Sequence, residues 1–215
     1  MKNFSLVLTG DISGFTKISP DRREELIQSI PDLITAWVDP EYAQIFRGDS
    51  FQILFKDPLD ALYRSIQLRC WFKKNKISEK IILDARMAIG VGQISYYGDS
   101  VLDSDGEAFH ISGRLFDAME DDEFIKIATA DQLLNEQLKV ICRLMDIIIC
   151  GWTRSQAEVI FLVIENKTQQ QMADELRVVQ SAINNRLKLA RWKEIEKTIK
   201  YISALLERYD HDRRV

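Results

Sequence analysis

Residues 4–19 read FSLVLTGDISGFTKIS. Residues 4–10 form a short apolar run, and the polar, glycine-bearing segment that follows ends it, which predicts a buried strand. Asp11 then stands at the strand's end, where an acid is unusual in a buried element. Taken alone it is a turn or cap residue. Its meaning depends on what the rest of the chain brings beside it.

Working outward, residues 21–37 predict a helix capped by Asp21, with Pro31 placed to kink or split it. EYAQIFRGDSFQILF (residues 41–55) holds two strand-like runs flanking Gly48-Asp49, a pair suited to a tight hairpin turn. Its Arg-Gly-Asp triplet reads as a hairpin tip, not an adhesion signal. Residues 58–74 space Leu62, Ile66 and Cys70 as a helix, with Pro58 in the first turn. DARMAIGVGQI (84–94) reads as a central strand and YYGDSVLDSDG (96–106) as a polar loop. EAFHISGRLFDAM (107–119) reads as a helix offering Phe109, Leu115 and Phe116 to the core. EFIKIAT (123–129) is a strand, and DQLLNEQL (131–138) a short helix capped by Asp131. The order βα(α)ββαβαβα contains a hairpin, so the sheet is partly antiparallel. The expected fold is α+β, a helix-on-sheet sandwich and not a doubly wound parallel sheet.

Asp49 at the hairpin and Asp11 after the first strand project from one sheet edge if strands 1 and 3 are neighbours. Two carboxylates so placed are hard oxygen ligands for Mg²⁺ or Mn²⁺. The backbone N–H groups of Ser13, Gly14, Phe15 and Thr16 are then placed to receive phosphate oxygens.

After Trp152 the texture changes to short helices. Thr153 caps one through about Ile164, Thr168 caps QQQMADEL, and QSAINNRLKLARW forms the next. A last helix, roughly 193–209, aligns Ile195, Ile199, Ile202 and Leu206. Residues 168–188 have helix-turn-helix spacing. Small Ala173 allows close approach, Leu176 and Val178 bracket the turn, and Ile183 and Leu187 face the core. Gln180, Ser181, Asn184, Asn185 and Lys188 remain on the outer face, as side chains suited to base edges and phosphates. Arg177 stands at the turn, where glycine is common; either it takes a left-handed conformation at a cost of ~1 kcal/mol, or the turn differs slightly. A helical packing or dimerisation module without DNA is the other reading of this segment. Two units are expected, residues 1–145 and 150–210.

The chain has 215 residues and a net charge of −4. That balance excludes a protein that coats nucleic acid over its whole surface. Residues 1–150 carry −7 and residues 151–215 carry +3, and seven basic residues against two acidic ones lie between Arg177 and Lys200. The asymmetry points to different partners for the two parts and favours DNA for the second. Cys70, Cys142 and Cys150 lack metal-ligand spacing and suit a reducing cytoplasm. Lys2-Asn3 leading straight into a strand-like run is not the pattern of a secretory leader. No segment reaches the ~18 apolar residues needed to span a membrane.

GDISGFTKIS resembles the first motif of class III nucleotidyl cyclases, FRGDSFQILF their hairpin, MAIGVGQI their following strand and AFHISGRLFDAM their late helix. The four pieces cover roughly residues 4–130 in the right order. The resemblance implies a ferredoxin-like, nucleotidyl-cyclase-like sandwich. It makes Asp11 and Asp49 metal ligands, Arg114 a transition-state arginine and Asp103 the purine-contacting acid. It also implies a homodimer and, in its strongest form, cyclisation of a nucleoside triphosphate. Two positions depart from the family: His110 stands where it has the transition-state asparagine, either as a catalytic donor of a hydrogen bond to ribose or phosphate or as a helix residue at a subunit interface, and Ile45 stands where a lysine contacts the base. With TQQQMADEL and SAINNRL added, the whole chain resembles the SatD-type family of bacterial proteins. The segment from Thr168 also resembles the tri-helical readers of sigma factors and transposases.

Three readings follow. One is a DNA-binding regulator whose cyclase-like part dimerises and senses a nucleotide with a divalent metal. The second is a cyclase or related phosphoryl-transfer enzyme. The third is a structural protein in which both aspartates only shape turns.

Overall fold

The computed structural model describes residues 4–46, 48–75 and 83–213. Among them lie seven strands and eight α-helices in an α+β arrangement. Strands β1 (Ser5–Ser13), β2 (Ala43–Phe46), β3 (Ser50–Phe55), β4 (Asp84–Gly92) and β7 (Ile125–Ala128) form one sheet, ordered β2-β3-β1-β4-β7. Its pairings are antiparallel except β4 with β7, which run parallel. The hairpin β2–β3 turns where Gly48-Asp49 was expected; Arg47 lies outside the described residues.

Alternation along the strands gives the sheet two apolar faces. Leu6, Leu8, Phe51, Ile53, Met87 and Ile89 belong to the main core, covered by α1 (Pro20–Thr35), α2 (Pro58–Lys74) and α4 (Gln132–Cys150). Val7 and Leu54 look the other way, onto Val101 and Ala108, where α3 (Glu107–Asp117) lies. Gly90 sets that approach. A Cβ there would fall well inside contact distance of the Ala108 carbonyl and the Ser112 backbone nitrogen, so only glycine lets α3 lie this close.

Several local expectations change. α1 starts one residue earlier, with Ser19 at the N-cap and Pro20 at N1, and Asp21 sits in its first turn. Pro31 lies inside one unbroken helix. The 96–106 stretch is more than a loop. β5 (Ile94–Tyr96) and β6 (Asp105–Gly106) pair as a second small sheet around a 3₁₀ turn, Val101–Asp103. In α3 the buried residues are small Ala108 and Ser112, with Phe109, Leu115 and Phe116 only half-buried, because the helix rests directly on the backbone at Gly90. α4 is 19 residues long, not the single short segment after Asp131, although Asp131 does cap it through Leu133 and Leu134.

A buried ionic cluster anchors α4. Arg69 of α2, 0% exposed, donates Nε and Nη2 to Asp84 at 2.9 Å each and Nη1 to Asp146 of α4 at 2.5 Å. Lys73 reaches Asp84 at 3.1 Å. The second oxygen of Asp146 accepts from the backbone N–H groups of Phe124 and Ile125, at the start of β7. The cluster thus ties α2, β4, β7 and α4 together. Burial alone would lower the Arg69 pKa, but Asp84 and Asp146 outweigh it and hold the guanidinium charged. Asp146 is pushed upward by desolvation, against the pull of Arg69 and its two N–H donors.

The C-terminal helices are α5 (Arg154–Ile164), α6 (Gln169–Leu176), α7 (Gln180–Leu189) and α8 (Trp192–Asp212). Thr153 and Thr168 each form a full capping box, with Gln156 and Gln171. α5 and α8 pack on α2, so Val159, Ile160, Ile183, Ile195 and Ile199 share one core with the sheet layer. Trp152 Nε1 donates to the Ala190 carbonyl at 2.8 Å, fixing the α7–α8 junction to the start of α5. Among the described residues no helix is long and apolar enough to cross a membrane.

Candidate functional site

Two surfaces carry the residues singled out in sequence. The first lies at the end of β1, on the α3 face. There Asp11 pairs across the strands with Arg86, as Asp11 Oδ1 and Oδ2 accept from Arg86 Nε and Nη2 at 3.1 Å each. Arg86 also stands 3.6 Å from exposed Asp121 and over the Phe116 ring of α3, at 5.6 Å. Hydrogen bonding to Asp11 raises the Arg86 pKa, against partial burial. Asp49 sits in the hairpin turn, and its backbone carbonyl accepts from Ile12 N at 3.1 Å. Ser50, the residue after it, is the register partner of Asp11, so β1 and β3 are neighbours as the two-carboxylate reading required.

Whether the pair suits a divalent cation turns on Arg86. Both Asp11 oxygens are engaged by the guanidinium, and a cation at Asp11 would have to displace it. Among the described residues no three His, Cys, Asp or Glu side chains converge as a metal-holding group. As arranged, Asp11 is held by Arg86, and Asp49 sits in the neighbouring hairpin turn.

Ser13 ends β1, and Gly14 takes a left-handed conformation (φ 83°) that starts the 3₁₀ turn Phe15–Lys17. Phe15 is buried, and Arg23 braces the loop by donating to the Thr16 and Ile18 carbonyls. The N–H groups of Phe15 and Thr16 have no partner among the described residues. On α3, exposed His110 lies 3.0 Å from Asp105 through Nε2, and Arg114 Nε donates to the His110 carbonyl. Asp103 accepts from Ser100 Oγ at 2.7 Å in the loop between β5 and β6. Ile45 of β2 is opposite Phe51 and packs against the main core, so it has a packing role.

The second surface is α7. The chain leaves α6 through Arg177 in the left-handed conformation (φ 52°, ψ 47°), then Val178 and Val179, and enters α7 at Gln180. Buried Ala173 and Ile183 and half-buried Leu176, Val178 and Leu187 hold the pair onto α5. Gln180, Ser181, Asn184, Asn185 and Lys188 are all exposed. Arg186 is instead half-buried, 3.9 Å from Glu158 of α5. Arg177, Lys188, Arg191, Lys193 and Lys197 are exposed and have no ion pair among the described residues.

Sequence reasoning did not single out Arg86, Asp121 or the Arg69–Asp84–Asp146 cluster. Their partners lie far apart along the chain, and strand register is the signal that would have placed Arg86 opposite Asp11. Burial raises the Cys70 thiol and pushes Cys142 up to about 12, so neither is poised as a nucleophile.

No protein-family profile matches the chain, and no curated protein matches it. Among solved structures it is similar to the adenylyl cyclase CyaB from P. aeruginosa, at 20% identity over 58% of this chain and 76% of that one, with a TM-score of 0.42. A bacterial light-regulated adenylyl cyclase is similar at 17% identity over 58% of this chain and 42% of its own, with a TM-score of 0.35. A further structure of such a cyclase gives 17%, 58%, 74% and 0.34. Similarity at this level carries nothing about activity.

Proposed function

We propose that this chain is a DNA-binding regulatory protein. In this reading α5–α7 form a helix-turn-helix reader, with α7 as the recognition helix. The α+β layer, of nucleotidyl-cyclase-like design, dimerises it and senses a nucleotide. The observation that carries the proposal is the outer face of α7. Five polar residues stand exposed on a helix held by a three-residue turn, in a region where five exposed basic side chains have no ion pair among the described residues. Asn pairs with adenine edges and Lys with phosphates, and such a helix fits the major groove.

For the nucleotide, support comes from the open N–H groups at Phe15 and Thr16, which suit phosphate oxygens. Arg114, Asp103 and His110 are exposed or lie in loops beside the small sheet, within the same half of the molecule. The enzyme reading has less behind it, because Asp11 is already paired with Arg86 and Ile45 is spent on packing. No metal-dependent step is part of this proposal. A cytoplasmic setting accords with three free cysteines.

The test is selection of duplexes from a randomised pool by the full chain, followed by affinity measurement on the enriched site. Wild type should prefer that site over random duplex by ~10³ or more. Asn184→Ala and Asn185→Ala should each reduce the preference ~5- to 100-fold, while binding to random duplex stays unchanged. An unenriched pool refutes the reading, and so does an enriched site whose preference survives both substitutions.

A further inference from the structure

α4 carries an apolar stripe that the fold leaves bare. Leu133, Val140, Leu144 and Ile147 are 73, 60, 57 and 62% exposed, while Leu134, Leu138, Cys142, Met145 and Ile149 of the same helix are buried. With Gln137, the exposed positions recur at steps of 4, 3, 4 and 3 residues. That is the spacing of a coiled-coil seam, sustained over a helix of ~28 Å. An exposed apolar stripe, interrupted once by Gln137 and rimmed by charges, marks an interaction surface.

The charges beside the stripe select the occupant. Exposed Glu136 and Arg143 lie one heptad apart on the same flank. Arg143 holds Asp122 through Nη1 and Nη2 and keeps its Nε without a partner among the described residues. When two such helices run antiparallel, like flanks meet. Each Glu136 then stands beside Arg143 of the partner subunit, twice by symmetry, and Leu133 meets Leu144 of the partner subunit. When they run parallel, this flank faces the Ile141–Ile148 edge and the charges find no opposite sign. An open groove of about 550 Å³ beside Leu133, between α4 and the last turns of α8, leaves room for the incoming side chain. Leu134, Leu205 and Tyr209 line its apolar side.

We propose that the chain associates with a second copy of itself through an antiparallel α4–α4′ pair. The cyclase resemblance implies a different dimer, with Arg114 facing Asp11 across the interface. The α4 pair stands in place of that arrangement and does not depend on DNA binding.

Sedimentation velocity on the full chain tests it between ~1 and ~100 µM, the range in which a modest interface of this size declares itself. Wild type should become a dimer, and Leu144→Glu should stay a monomer with unchanged circular dichroism, since the side chain is exposed. Glu136→Arg and Arg143→Glu should each weaken association ~10-fold or more by opposing like charges, and the double exchange should restore it. A monomer at the highest concentration overturns the proposal. A dimer undiminished by Leu144→Glu places the interface elsewhere and overturns it too. Failure of the double exchange to restore association overturns the antiparallel register.

Discussion

Arg69→Met is the substitution whose cost follows most directly from the structure. It keeps a long side chain in α2 and removes the charge. Wild-type Arg69 makes three hydrogen bonds to two carboxylates and is fully buried, so the variant leaves Asp146 inside without its cation. Asp84 retains Lys73. Breaking a buried pair from one side costs about 3–5 kcal/mol. Against a typical total of ~5–15 kcal/mol that is a large share. For a chain of this size it corresponds to a fall of roughly 10 °C in Tm. The sign of the pH dependence follows from Asp146. Its pKa in the folded state is already raised by desolvation, so the folded state holds its proton to higher pH than the unfolded state. This contribution is fully present below the unfolded pKa and is lost as pH rises through the folded pKa. Removing Arg69 takes away an influence that lowers the Asp146 pKa, so the folded value climbs further and the losing window extends upward. Urea unfolding of both proteins at pH 5 and pH 8 should show the larger stability difference at pH 8, with m unchanged. A cost under ~1 kcal/mol, equal at both pH values, would refute the reasoning that the cluster is a charged anchor.

Three further outcomes are expected. Gly90→Val should cost several kcal/mol by urea unfolding, because the new side chain strikes α3 backbone and not a movable side-chain end. Arg177→Gly should stabilise the chain by about 0.5–1 kcal/mol by relieving the left-handed turn, and at the same time weaken duplex binding by removing an exposed cation. Arg86→Ala should free both Asp11 oxygens, so that Mn²⁺ raises the variant's Tm more than the wild type's; an equal response would show that Arg86 does not block the site.

Elements with strong local signals were legible from the sequence. The Gly48-Asp49 turn, the two threonine caps and the Ile195–Ile199–Ile202–Leu206 face fall where periodicity and capping chemistry put them; the apolar run before Asp11 lies in β1, but the strand continues through Asp11 to Ser13 instead of ending before it, because both neighbouring strands pair with it there. At Arg177 the left-handed conformation is one of two courses open to a non-glycine turn residue, and it is the one the chain takes. What was not legible depends on distant partners. α4 was read as ending near Leu138 because the polar cue at Asp131 marks only its start. Its continuation is held by Asp146, which binds Arg69 from 77 residues away. The small core of α3 depends on Gly90 opposite it, which no property of residues 107–119 announces. Asp11 in sequence looked like an acid awaiting a cation. In the fold, a neighbouring strand already supplies one, the guanidinium of Arg86.

The central claim is that the exposed face of α7 binds duplex DNA. Fluorescence anisotropy of a labelled duplex, titrated with the full chain across a salt series, tests it most directly. The account predicts binding whose logarithmic affinity falls linearly with the logarithm of salt, and a slope about one unit shallower in Lys188→Ala. Absence of binding to any duplex at ~50 mM salt, or a slope unchanged in Lys188→Ala, would contradict it.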